Sequence, residues 1–191
     1  LEAEFRRPIY PDATYPIEAK EDNASAAVDA VNAGLSIRVK DADAAEGQVL
    51  SVQVGFESDQ KTPPPTPDWL AGMDPADTTL RSAPVDLDEA ALKPGAEHRG
   101  WFPVKTPPER HRGQGLLSDL HLSVLGLCSY IIGMELPGLR SLFTRLRLDF
   151  NPLDATPDAL AWQLRVKRFD PQFRMLDLEL EVATSEGQWA A

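Results

Sequence analysis

Cysteine is almost absent from this chain: Cys128 is the single one among 191 residues. No intrachain disulfide can form, which suits a reducing compartment and makes a cytoplasmic protein the expectation. Positive charge is also scarce. Nineteen Lys and Arg stand against thirty Asp and Glu, a formal net charge of −11. That balance repels phosphate backbones and anionic lipid, so nucleic acid and membrane surfaces are set aside as partners. Long apolar runs are missing too. The greasiest stretch, "GLLSDLHLSVLGLCSYIIGMELPG" from Gly115 to Gly138, is interrupted by Ser118, Asp119, His121 and Ser123 and closed by Glu135. A spanning helix needs ~20 consecutive apolar residues, and the run from Val124 to Ile132 is too short, so no membrane span is expected. The opening "LEAEFRRPIY" carries charges where a signal peptide has its apolar region. Three isolated histidines and one cysteine give no ligand spacing, so no metal is expected. There is no G-x-G-x-x-G, Walker loop or G-x-S-x-G, and no cofactor is expected.

What is present divides the chain in three. In residues 1–60 apolar and polar residues alternate. "EFRRPIY", "ATYPIEAK", "LSIRVKDA" and "QVLSVQVGFE" read as strands by their period of two. Residues 61–98 begin with "KTPPPTPDWLAGMDPADTTLRSAP", where dense proline removes backbone donors and forbids a regular ladder. This segment reads as a linker or surface strap, with Trp69 available to pin it by burying its ring. Residues 99–191 read as a short strand "GWFPV", a helix over 115–136, and then an antiparallel meander. Leu116, Leu117, Leu120, Val124, Leu127, Cys128 and Ile131 recur at helical spacing, and "LPG" ends the helix. The meander comprises "LRSLFTRLRLDFN", "ALAWQLRVKRF" and "FRMLDLELEVAT". A helix apolar on most of its circumference is expected to be wrapped by a sheet rather than laid on a surface.

The two strand regions resemble each other. "LEAEFRRPIYPDAT" (Leu1 to Thr14) aligns with "LRLDFNPLDAT" (Leu146 to Thr156): each reads L-x-apolar-acid-F, a Pro-containing turn, then D-A-T. As a duplication, the first copy lacks the helix that precedes the second. The chain also does not open with Met, and the expectation is an excised piece of a larger protein whose missing helix lies upstream.

A long apolar helix ending in "GMELPG" and leading into "S-L-F" and a strand resembles the hot-dog fold, more narrowly its MaoC-like hydratase and dehydratase branch. Phe5, Pro8, Ile9, Asp12 and Ala13 fit loosely the strand pair that follows the helix in that family. The resemblance covers Leu1 to Phe56 and about Trp101 to Val182. It implies an α+β, double hot-dog architecture, with an antiparallel sheet around a central helix. By resemblance the parent acts on acyl thioesters carried on coenzyme A or acyl carrier protein, as in polyketide or fatty acid metabolism. The reaction implied is that of a lyase, reversible addition or removal of water. The implied partners are a second hot-dog half or a homodimer, and a fused short-chain reductase. Active members carry a Gly-Asp-x-Asn-Pro-x-His loop before the helix. Here the interval is "GWFPVKTPPERHRGQG", without that loop, so this half is expected to be non-catalytic, with the dyad outside the chain.

Few residues remain as candidates for chemistry. His111 stands before the helix, as a general base or as a solvated loop residue beside Arg110 and Arg112. Asp119 and His121 look like a dyad, but positions two apart on a helix point about 200° apart and share no proton path. Asp119 alone gains from the helix dipole, and it is the plausible carboxylate if the domain is instead a hot-dog thioesterase. Gly113 and Gly115 form a G-x-G that lets a thioester approach the first helical amides, and Tyr130 is placed to contact an acyl chain or simply to pack. Cys128 falls on the apolar stripe and reads as core. A purely structural or dimerising hot-dog domain is the third reading.

Overall fold

A computed structural model describes residues 2–5, 17–23, 33–40, 48–55, 65–75, 78–85, 92–104, 118–138, 144–151 and 157–191. Their elements are β1 (Glu2–Phe5), β2 (Ile17–Asn23), β3 (Ala33–Lys40), β4 (Gln48–Gly55), β5 (Glu97–Pro103), α1 (Asp119–Tyr130), β6 (Arg145–Arg147), β7 (Ala159–Asp170) and β8 (Met175–Thr184). The class is α+β, with antiparallel pairing in both sheets and one α-helix among the described residues. The residues gather into two compact units: Leu1–Thr62 with Leu142–Asp149, and Pro63–Ser141 with Phe150–Ala191.

The first unit is a sheet in the order β2-β3-β4-β1-β6. Of the four alternating stretches of the sequence, the last two hold most of β3 and β4, the second overlaps β2 at Ile17–Lys20, and the first meets β1 only at Glu4 and Phe5, residues 6–16 lying outside the described residues. The β1–β6 pair carries the aligned copies "LEAEF" and "LRLDF". They run antiparallel with Glu2 opposite Arg147 and Ala3 opposite Leu146. Setting Leu1 on Leu146 makes Glu2 and Arg147 equivalent, and these two residues face each other. Arg145 Nε donates to Glu2 Oε1 at 2.8 Å across the pair. That guanidinium hydrogen bond holds the Glu2 carboxyl below the usual carboxylate range.

The second unit is built on the sheet β5-β7-β8. Here β7 is central, and Leu160, Ala161, Trp162, Gln163 and Leu164 are buried in succession. Both faces of the strand are therefore covered. The residues on one face are mainly large and apolar, Leu160, Trp162, Leu164 and Val166. On the other face Ala161 and Ala183 pack with Trp101 and with Trp69, which lies in a 3-10 turn at Asp68–Leu70. Trp69 thus buries its ring and pins the start of the Pro-rich strap. Beyond β8 the chain turns back. Val182 exchanges hydrogen bonds with the end of the chain, its N–H reaching the Ala191 carbonyl at 2.8 Å and its carbonyl receiving the Ala190 N–H at 2.8 Å.

The apolar helix is shorter than the sequence suggests. Ser118 caps it, α1 ends at Tyr130, and a π-helical turn follows over Ile131–Glu135. Leu120, Val124, Leu127, Cys128 and Ile131 are buried, as the spacing predicts. On β5, Phe102 meets Tyr130 with ring centroids 5.7 Å apart. A Cβ on Gly126 would lie 3.8 Å from the tip of the Phe102 ring, an ordinary van der Waals contact. Gly138, at φ +80°, makes the left-handed exit expected of "LPG". Residues 115–117 at the expected helix start lie outside the described residues. Of the strand expected over Leu142 to Phe150, the described part pairs only at Arg145–Arg147.

Gly100 on β5 is a packing requirement. A Cβ there would stand 2.8 Å from Cζ2 of Trp162, whose indole lies over the glycine. Gly100→Ala is expected to cost about 1–3 kcal/mol by overpacking a buried ring. Gly133→Ala, with nothing within 4 Å and no positive φ, is the control and should be neutral or slightly stabilising. Urea unfolding followed by tryptophan fluorescence measures both, and equal midpoints would refute the packing account.

Candidate functional site at the helix start

The first turn of α1 is organised by a capping box. Ser118 has extended backbone angles, φ −74° and ψ 166°, and its Oγ accepts from the His121 N–H at 3.3 Å. The His121 ring takes the part usually played by Glu or Gln at this position. Its Nδ1 accepts from the Ser118 backbone N–H at 3.0 Å and lies 3.1 Å from Ser118 Oγ. The edge of the ring packs on Phe150 with centroids 4.3 Å apart. Accepting at Nδ1 requires the neutral imidazole protonated at Nε2. Burial pushes the histidine below its ordinary range, and a cation at a helix N-terminus would also oppose the dipole.

Asp119 is the first residue of the helix and half-buried. Its backbone carbonyl accepts the Ser123 hydroxyl at 2.8 Å. Its carboxylate has no hydrogen-bond partner among the described residues, and a negative charge in the first turn is favoured by the dipole. Of the sequence candidates, Asp119 stands at the helix start together with His121, whose ring is taken up by the cap. His111, Gly113 and Gly115 lie outside the described residues. Tyr130 lies eleven residues along the helix, roughly 16 Å away, so the structure does not bring it together with Asp119. There the Tyr130 hydroxyl donates to Glu135 Oε1 at 2.7 Å and accepts from the Arg81 N–H at 3.0 Å. Burial first, then its carboxylate neighbour, raises the Tyr130 phenol above its usual range against the opposing Arg81 hydrogen bond. Cys128 is buried and its thiol is pushed up to about 12, which rules out a thiolate nucleophile near neutral pH. Among the described residues no group of His, Cys, Asp and Glu is placed to hold a metal.

Sequence reasoning overlooked one concave surface. A shallow depression of about 480 Å³ lies on the polar face of the β5-β7-β8 sheet, beside the edge-to-face pair of Trp69 and Trp189. In register, Glu97 faces Arg165 and Arg165 faces Glu179, while Arg99 faces Gln163 and Gln163 faces Glu181. Arg165 binds Glu97 at 2.8 Å, and Arg99 Nε donates to Gln163 at 2.7 Å. The Arg165 hydrogen bond holds the Glu97 carboxyl below its ordinary range. Trp69 Nε1 closes the row by donating to Glu181 at 2.7 Å. These charges are largely spent on one another, so the helix start is the stronger candidate. Period-two alternation marked the face as polar, but it could not show that the charges pair across three strands.

No family model matches the chain, and no curated protein matches it in sequence. A crystal structure from Thermobifida fusca YX, described as a candidate thioesterase II, has a similar fold. The TM-score is 0.54 at 13% identity, over 99% of this chain and 75% of the other. With the antiparallel sheets and single described helix, this makes the fold hot-dog-like. No described helix is long and apolar enough to cross a membrane.

The cap gives a pH signature with a definite sign. The folded pKa of His121 lies below its unfolded value of about 6.5. The stability due to the neutral cap is therefore complete above about pH 6.5 and is lost as pH falls through the folded value. His121→Gln, which keeps an acceptor at this position of the box, should remove that part of the slope between about pH 7 and 5. Ser118→Ala should cost about 0.5–2 kcal/mol at neutral pH. Parallel stability–pH curves for wild type and His121→Gln would contradict the assignment.

Proposed function

We propose that the domain binds acyl thioesters, on coenzyme A or a carrier protein, and hydrolyses them at the start of α1. The observation that carries this reading is Asp119: a carboxylate in the first turn of α1, with no hydrogen-bond partner among the described residues. The hot-dog-like neighbour described as a thioesterase supports the same substrate class. In this scheme Asp119 takes a proton from water, and the hydroxyl oxygen attacks the thioester carbonyl. The helix N-terminus stabilises the oxyanion. The C–S bond then breaks, the carboxylic acid forms, and the leaving sulfur takes the proton from Asp119.

A second reading follows the MaoC-like resemblance. The chain would then be part of a double hot-dog dehydratase or hydratase, shaping the acyl tunnel while the dyad lies elsewhere in the parent. The Glu2–Arg147 register favours duplication and so keeps this reading in play. A homodimer and a fused short-chain reductase belong to it as proposals. A domain without chemistry is the remaining reading.

One panel separates the three. Short- and medium-chain acyl-CoA and acyl-carrier substrates are mixed with the protein, with crotonyl and 3-hydroxyacyl thioesters included. Hydrolysis predicts free-thiol release, with Asp119→Asn lowering kcat at least ~100-fold, the order of a general-base contribution, and the fold unchanged. Changing enoyl absorbance without thiol release supports dehydration instead. No turnover and no binding to any thioester would leave the structural reading and overturn the proposal.

A further inference from the structure

The Pro-rich strap is held to the second unit in two ways that differ in kind. Its first part, around Asp68–Leu70, is anchored by the buried ring of Trp69. Its second part, residues 78–85, contains no buried residue. What holds it is polar. Arg81 Nε donates to Glu135 Oε2 at 2.6 Å, and the Arg81 N–H donates to the Tyr130 hydroxyl at 3.0 Å. Tyr130 donates to Glu135 Oε1 at 2.7 Å, so the two side chains and Arg81, by its backbone N–H and its guanidinium, close a ring of contacts. Four residues on, the Val85 N–H donates to the Met134 carbonyl at 3.0 Å. The Glu135 side chain is only 14% exposed, while that of Arg81 is 52% exposed. The helix side of the clasp is fixed, and the strap side reaches in from solvent.

The clasp depends on an irregularity in the helix. In an α-helix, residues five apart point roughly 140° away from each other, and Tyr130 could not bond Glu135. The Leu136 N–H instead reaches the Ile131 carbonyl at 2.8 Å, an i to i+5 bond. In such a turn residues five apart lie about one turn apart and share a face. The π-turn is thus what presents phenol and carboxylate together to Arg81.

We propose that residues 78–85 form a strap that opens separately from the sheet, with Glu135, seated by the π-turn, as its latch. Its apolar residues Leu80 and Val85 are only half-buried, so these hydrogen bonds carry a large share of its opening free energy. This holds whatever reaction the helix start performs.

Amide hydrogen exchange of the full chain tests it, with peptides covering the strap compared against peptides from β7 and β8. In Glu135→Gln and Tyr130→Phe, exchange at Arg81 and Val85 should quicken by roughly tenfold or more, while β7 and β8 keep their protection. Arg81→Ala, which alters only the solvent side of the clasp, should quicken Val85 in the same way. Unchanged strap exchange in all three variants would overturn the proposal. Equal acceleration in the strap, β7 and β8 would overturn it too, because the strap would then open only with the whole unit.

Discussion

Strand β7 is paired on both edges and covered on both faces, and the second unit is arranged around that constraint. Its buried backbone must satisfy its polar groups within the ladder, and the different demands of its two faces hold the register of β5 and β8 against it. The register then sorts side chains by parity. Even positions from Leu160 to Val166 make the apolar face, and odd positions carry Ala161, then Gln163 opposite Glu181 and Arg165 opposite Glu97. Trp162 demands a glycine beside it, and Ala161 leaves room for Trp101 and Trp69. The strap's anchorage is thus a consequence of two small residues that face each other on neighbouring strands, Ala161 of β7 and Ala183 of β8.

Much of this was legible in the chain. Alternation located the early strands and the β7–β8 hairpin because half-buried strands have a period that sequence displays directly. The apolar spacing of Leu120, Val124, Leu127 and Ile131 located the helix for a similar reason. Its interior irregularity was not legible. A change from i+4 to i+5 bonding leaves no residue signature in "SYIIGMELPG", because Tyr130 and Glu135 acquire their meaning only once Arg81 arrives from fifty residues upstream.

The candidate site was legible in part. Asp119 was recognisable as a first-turn carboxylate. His121 was weighed only as its possible partner and set aside on angular grounds, which left its actual contact unforeseen. The ring folds back on the backbone of Ser118, a local bond that helical-wheel reasoning ignores. The pattern S-x-x-H would have suggested it, had histidine been considered beside glutamate and glutamine as an acceptor. His111, Gly113 and Gly115 remain expectations.

All four tryptophans, Trp69, Trp101, Trp162 and Trp189, belong to the second unit. Indole emission is consequently blind to the five-stranded sheet built from β1 to β4 and β6. A melting curve recorded by that light alone would describe the second unit only, and agreement with far-ultraviolet dichroism would become a measure of whether the two units unfold as one.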